Sequence, residues 1–162
     1  MKRFYVNKEL QVNSKVTIEG IEHNHISNVM RLKVNDEIIL VCGDNYDYLA
    51  RIIDISKGKT IVEILSKDVN NANPRSYVTV FQALVKSDNM SLIVQKLTEL
   101  GVKTFIPFES EFITSKDKYN KCQKLQEISN QSIKQCKRSI PMKIENTKSF
   151  KEMIEDLHNY DL

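Results

Sequence analysis

The sequence predicts two successive modules: an α+β module built on a small β-barrel, then an α/β module with a parallel sheet. Three observations predict this. Short runs rich in β-branched and aromatic residues, separated by turn signals, fill the first 70 positions. Asp68-Val69-Asn70-Asn71-Ala72-Asn73-Pro74 is turn-forming and almost without apolar content. Beyond it, strand-like runs alternate with helical periodicities. The expected division is 1–70 and 75–162.

In chain order, Arg3–Val6 reads as a short strand, and Ile21–Arg31 as a helix whose Ile21, His25 and Val29 share one face at i, i+4, i+8. Glu37–Val41, Tyr46–Ile55 and Thr60–Leu65 read as strands, with turns at Gly43-Asp44-Asn45 and Lys57-Gly58-Lys59. In the second module Tyr77–Val85 is expected as a strand buried on both faces. Asp88 is expected to cap a helix that runs to Leu100, with Met90, Ile93, Val94, Leu97 and Leu100 as its apolar stripe and Gly101 at its end. Lys103–Phe108 follows as a strand stopped by Pro107, then a long helix over about Asp117–Lys137, a strand at Met142–Ile144 and an amphipathic helix near Phe150–Leu157.

Composition excludes several classes. With 162 residues, 41% hydrophobic and 28% charged, the chain can bury a core. No apolar run approaches the ~18–20 residues of a membrane helix. The opening Met1-Lys2-Arg3-Phe4-Tyr5-Val6 meets charge too early for a signal peptide. Cys42, Cys122 and Cys136 are scattered and read as free thiols of a reducing cytoplasm. Gly20, Gly43, Gly58 and Gly101 are too far apart for a glycine-rich phosphate cradle. His23-Asn24-His25 has H-x-H spacing with no cysteine or carboxylate cluster beside it, so no metal site is expected.

The net charge of +3 is mild but unevenly spread. Residues 115–143 hold Lys116, Lys118, Lys121, Lys124, Lys134, Lys137, Arg138 and Lys143 against Asp117 and Glu127. Such a stripe is either a solvated helix face or a surface for a phosphate-bearing partner.

Three clusters carry more information. They are His25-Ile26-Ser27-Asn28-Val29-Met30-Arg31; Lys86-Ser87-Asp88-Asn89-Met90 running into Gln95-Lys96-Leu97-Thr98-Glu99-Leu100-Gly101-Val102 with Pro107 after it; and Gln131-Ser132-Ile133-Lys134-Gln135-Cys136-Lys137-Arg138-Ser139-Ile140-Pro141. In order and at matching spacing from Arg3 to about Ile144, they resemble the bacterial RsmE family. The family patterns are H-x-x-N-V-L-R, with Met30 in the Leu place; K-x-x-x-M then Q-K-x-x-E-L-G-V; and E-A-x-x-Q-x-x-R-x-x-P, where Gln131 and Ser132 replace Glu and Ala.

The resemblance implies an N-terminal PUA-like barrel for RNA and a C-terminal SPOUT α/β domain with a trefoil knot. It implies S-adenosylmethionine as methyl donor, a homodimer, and methylation of N3 of a uridine in 16S ribosomal RNA of the small subunit, in the cytoplasm. Family members carry a downstream G-P-E-G-G loop and an L-G-x-x-I-L-R-x-E-T segment that hold the cofactor. Neither lies within these 162 residues. The SPOUT layer is therefore expected to be incomplete, cofactor-binding residues to lie outside the sequence, and these residues alone to give no turnover.

By the same resemblance Arg3 and Arg31 face RNA, where an arginine pairs a phosphate through two parallel hydrogen bonds or stacks on a base; otherwise they are surface cations. Lys86 ends a strand just before a helix, where open α/β sheets gather ligands, and is expected at the edge of the active site or on an RNA phosphate. Gln135 and Arg138 border the RNA cleft, or Arg138 merely suits the helix dipole. Arg31, Lys86 and Arg138 are expected to line one positively charged cleft. Glu99 is expected to pair with a cation, and His25 to be a buried structural histidine. No residue is assigned as catalytic base. The alternatives are a non-catalytic RNA-binding or assembly module, and an unrelated α+β interaction protein whose RNA affinity barely depends on salt.

Overall fold

The computed structural model describes residues 1–111 and 121–161. The chain divides into two compact units. One comprises Met1–Asn73 together with Lys137–Ile140; the other comprises Pro74–Cys136 and Pro141–Leu162.

The first unit is a curled mixed sheet of five strands: β1 (Lys2–Tyr5), β2 (Lys15–Glu19), β3 (Glu37–Val41), β4 (Tyr46–Ser56) and β5 (Lys59–Val69). Their spatial order is β1-β3-β4-β5-β2, with β1 parallel to β3 and the other pairs antiparallel. β4 and β5 are 11 residues each, long enough to wrap. The register shifts at Leu49/Ala50 and Ile52/Asp54 supply the bends that curling requires. Alternation sends Phe4, Val16, Ile18, Ile38, Leu40, Tyr48, Ala50, Ile52, Val62 and Ile64 to the inner face, and Leu10 and Ile26 join that core.

Helix α1 (Gly20–Asn24) runs straight into a π-helical turn over His25–Val29. The widened turn changes which face is buried. Ile26 is fully buried, whereas Ile21 and Val29 are 70% and 60% exposed. The expected Ile21/His25/Val29 stripe is thus incorrect, because a π turn breaks the 3.6-residue period on which it rested. His25 is half-buried, set edge-on to Phe4 at 5.8 Å. Strand β2 was not foreseen. Its apolar residues, Val16 and Ile18, are too few in Lys15-Val16-Thr17-Ile18-Glu19 to stand out, and pairing with β5 makes it a strand.

The second unit is a parallel sheet of β6 (Thr79–Ala83), β7 (Thr104–Glu109), β8 (Lys143–Ile144) and β9 (Lys148–Ser149), in which β7 pairs with β6, β8 and β9. Helices α2 (Ser87–Leu100) and α3 (Lys121–Cys136) pack on it, and α4 (Phe150–Asp156) follows β9. Ser129 is fully buried between α2 and α3, taking a 3.3 Å bond from Thr98 and giving one of 3.0 Å to the Met142 carbonyl. Small hydroxyl side chains there let the helices approach closely while every polar atom on that seam finds a partner.

Four expectations need correction here. β6 is only half-buried and shorter than expected, because among the described residues it pairs with β7 alone, and Tyr77 is 84% exposed. Pro107 does not stop β7, whose ladder to β6 runs through the Gln82–Pro107 pair to Ala83–Phe108; in a parallel ladder one residue can pair without donating its own N–H. Asp88 does not cap α2: Lys86 occupies the N-cap without a side-chain bond, and Asp88 sits in the first turn. Leu100 leaves the apolar stripe and is 80% exposed. Asp117, Lys116 and Lys118 lie outside the described residues.

Two expected outcomes follow from the second unit. Gly101 ends α2 in the left-handed region at φ 99°, and a Cβ there would stand 2.8 Å from the Pro74 ring. Gly101→Ala is expected to cost about 2 kcal/mol or more, since the left-handed backbone alone costs ~1–2 kcal/mol and the Pro74 ring must shift to admit the Cβ. An unchanged urea midpoint would contradict this. Helix α4 begins with a reciprocal cap between Ser149 and Glu152, and Lys148 bonds Asp156 across its length at 2.5 Å. The Ser149 bonds hold the Glu152 carboxyl below its ordinary value, and Lys148 does the same for Asp156. Carboxyls lowered in the fold stabilise above their unfolded pKa and lose that contribution as pH falls through the folded one. Protection factors of the α4 amides, corrected for intrinsic exchange, should therefore fall below about pH 4 and stay level from there to neutrality.

Candidate RNA interface

One set of polar side chains in the first unit is joined by hydrogen bonds around Asp47. Arg3, on β1, grips Asp47, on β4, with two parallel bonds of 2.8 and 2.5 Å, the guanidinium 11% and the carboxylate 24% exposed. The same Asp47 oxygen accepts from the Asn70 amide at 2.6 Å, and that amide also donates to the Lys137 carbonyl at 2.9 Å. Asn70 is itself 94% buried (6% exposed), and its side-chain oxygen takes the Ala72 N–H.

A second set of bonds clamps the residues after Lys137. Asn73 donates to Ser139 Oγ at 2.8 Å and accepts the backbone N–H groups of Ser139 and Ile140 at 3.3 and 3.2 Å. Ser139 Oγ in turn donates to the Asp44 carbonyl at 2.6 Å. Lys137 stands in the left-handed region at φ 62°, a conformation that costs a non-glycine residue on the order of 1 kcal/mol and that these bonds over-determine.

The five residues singled out from sequence fall as follows. Arg3 is committed to Asp47. Arg138 belongs to the clamped segment and is only 2% exposed, so it does not line an open cleft; on either side of it the Lys137 carbonyl is held by Asn70 and the buried Ser139 by Asn73 and Asp44. Arg31 is exposed, directly after the π turn, again with a left-handed backbone at φ 51°. Its position is fixed from both sides, by Met30 N–H to the His25 carbonyl at 2.8 Å and Leu32 N–H to the Ile26 carbonyl at 3.0 Å. Strained backbone carrying an exposed cation next to a π turn is the pattern of a functional position. Thus Arg3, Arg31 and Arg138 share the first unit. Lys86 and Gln135 are exposed on the second unit, at the N-cap of α2 and in the last turn of α3.

The basic stripe is less continuous than its sequence. Arg138 is buried, and Lys143 is paired with Glu145 at 2.6 Å. Glu99 meets its expected partner Lys96 at 2.8 Å, and that bond holds its carboxyl below the ordinary value. Sequence reasoning missed Asp44, Asp47, Asn70, Asn73 and Ser139. The only available signal was the asparagine density of 70–73, which read as a turn.

Among the described residues no group of three or more His, Cys, Asp or Glu gathers to hold a metal ion, and no helix is long and apolar enough to cross a membrane.

The RNA methyltransferase domain family matches residues 71–162, and the RNA methyltransferase PUA domain family matches residues 19–65. The chain belongs to the RNA methyltransferase family. Among similar proteins, the ribosomal RNA small subunit methyltransferase E of Buchnera aphidicola subsp. Acyrthosiphon pisum is 27% identical, over 98% of this chain and 64% of the relative. That of Bacillus subtilis is 26% identical, over 99% and 66%. The crystal structure of the Neisseria gonorrhoeae enzyme of the same name, bound to S-adenosyl methionine, superposes with a TM-score of 0.88 at 26% identity, over 96% of this chain and 65% of that one. The chain spans about two thirds of the length of these relatives.

Family membership raises the question of the cofactor. Where β6 ends and α2 and α3 begin, a pocket of about 30 Å³ is lined by Leu84, Val85, Met90, Pro107, Cys122 and Leu125, with Ser87, Ser91, Lys124 and Thr147 also around it. That is space for one or two waters, against ~300 Å³ or more for a ligand pocket. The residues around it do not make a cradle for adenosylmethionine.

Asp47→Ala would leave Arg3 and Asn70 without their shared acceptor. We expect a loss of about 1–3 kcal/mol in a urea melt, since removing one partner of a part-buried charged pair strands the other. Asp47→Asn should recover part of this, because the amide oxygen still accepts one bond. Equal stability of the wild type and Asp47→Ala would show that the network is ornamental.

Proposed function

We propose that this chain supplies the RNA-gripping part, and part of the catalytic framework, of an adenosylmethionine-dependent methyltransferase acting on small-subunit ribosomal RNA, with N3 of a uridine in 16S RNA as the acceptor. The observation that carries this reading is the pairing of two matches in chain order, an RNA methyltransferase PUA domain and an RNA methyltransferase domain, on a curled sheet followed by a parallel α/β layer.

The chemistry sets the demands. Methyl transfer from a sulfonium is an in-line displacement that depends on positioning. Uridine N3–H is a weak acid, so a base or a cation must stabilise the developing anion. N3 lies on the pairing edge and must be unpaired or flipped out. In this reading the exposed Arg31, Lys86 and Gln135 meet RNA directly. Arg3 and Arg138, being buried, set the surface rather than touch the phosphate. A homodimer and a place in cytoplasmic ribosome biogenesis belong to the same reading. The 30 Å³ pocket supports a second one, an RNA-binding or assembly module without catalysis.

One pair of assays tests both. Filter binding of a 16S fragment should weaken steeply with salt, about 0.9 log unit per log salt for each phosphate contacted. Arg31→Ala should reduce that slope by about one. Arg31→Gly should lose the same contact while keeping or slightly raising stability, since glycine tolerates φ 51° freely. Transfer of labelled methyl to 16S RNA, with primer extension halting at one uridine, would support the enzyme. Salt-dependent binding without transfer is what these residues alone should give under either reading, and salt-insensitive binding would overturn both.

A further inference from the structure

A second cavity lies in the first unit, and neither Arg31 nor Asp47 is among its lining residues. It measures about 400 Å³ and is lined by Glu9, Leu10, Gln11 and Val12 from the segment after β1, by Asp44, Tyr46 and Tyr48, and by Lys67 of β5. We propose that this cavity is a stacking site for a single unpaired RNA nucleobase, one that carries an exocyclic amino group. The inference rests on the RNA-binding reading and deepens it.

Four observations support a base rather than another ligand. The volume lies within the range of small-molecule sites. One wall is the half-buried Tyr46 ring, held edge-on to Tyr48 at 6.4 Å, with the Lys67 ammonium 4.7 Å from its centre. The ammonium covers that ring face, so an entering base stacks there in place of the exposed Lys67 side chain, which then lies over the outer face of the base. The wall is also rigid. Tyr48 is 3% exposed and donates to Asp44 at 2.6 Å, while Asp44 accepts the Tyr46 N–H at 3.1 Å. Burial first, then that bond to Asp44, pushes the Tyr48 phenol up, so it remains a neutral donor at any physiological pH.

The charge of the rim argues against a phosphate. Two carboxylates, Glu9 and Asp44, line the cavity against one cation, Lys67, and like charge would repel an RNA backbone. Carboxylate and amide acceptors instead match the amino hydrogens of a base, as Glu and Asp do for cytosine and Gln does for adenine. Uridine offers no such amino group. With only N3–H to offer these acceptors, uridine fits less well, so the cavity favours adenine, cytosine or guanine and would hold a nucleotide other than the uridine to be modified.

The probe is a fluorescent RNA hairpin with a loop of adenines, compared with the same stem carrying a loop of uridines and with a blunt duplex, at fixed salt. The adenine loop should bind about tenfold more tightly than the duplex, and more tightly than the uridine loop. Tyr46→Leu and Lys67→Met should remove that advantage, about 5- to 100-fold for the ring by the usual worth of a base–aromatic stack. Tyr46→Phe should retain it. Should Tyr46→Leu fail to fold, Glu9→Ala, on the exposed rim, should still erase the adenine-over-uridine preference. Equal binding of loop and duplex by the wild type, or an unchanged preference in folded Tyr46→Leu or in Glu9→Ala, would overturn the stacking site while leaving RNA binding intact. Failure to bind any of the three RNAs would overturn the RNA-binding reading and this site together.

Discussion

A single carboxylate organises the first unit. Asp47 sits on a central strand and receives both the Arg3 guanidinium and the Asn70 amide. The first bond ties the edge strand β1 to β4, although β3 lies between them in the sheet. The second carries the constraint onward to the backbone of Lys137. Remove the acceptor, and a cation and a buried amide lose their partner together. Charged hydrogen bonds in a part-buried setting are worth roughly twice neutral ones, so much of the unit's polar order concentrates at one side chain.

That order shapes what remains for recognition. Guanidinium groups at positions 3 and 138 are drawn inside, and the one at position 31 is pushed out on a strained loop. The outward cation has its backbone fixed on both sides by main-chain hydrogen bonds, so little entropy is lost when it takes a phosphate. A rigid tyrosine wall elsewhere on the same unit offers a complementary kind of contact, with the planar face of a base rather than its backbone.

Much of the fold could be read from the sequence, for identifiable reasons. β3, β4, β5 and α2 announced themselves through strong local patterning, as did the glycine that ends α2. Where tertiary pairing decides, the reading failed. β2 has too few apolar residues to stand out alone, β7 tolerates Pro107 because of its parallel ladder, and the π turn shifted burial by one residue from Ile21/His25/Val29 to Ile26. The site was legible only in part. Arg31, Lys86 and Gln135 are exposed as the motifs suggest, while the pairing of Arg3 with Asp47 spans 44 positions and that of Asn70 with Lys137 spans 67. No local pattern encodes contacts of that separation.

The return of Lys137–Ile140 to the first unit has a consequence for synthesis. The bond from Ser139 to Asp44 closes a loop of 95 positions, and 63 residues of the other unit are made between Asn73 and Lys137. At roughly 5–20 residues per second of translation, the curled sheet waits about 3–13 s for its last four residues. During that interval Asn70 and Asn73 stand beside an unfilled berth. The nascent chain thus passes through a stage in which its first unit is assembled but unlatched, and the latch arrives only after most of its neighbour has been made.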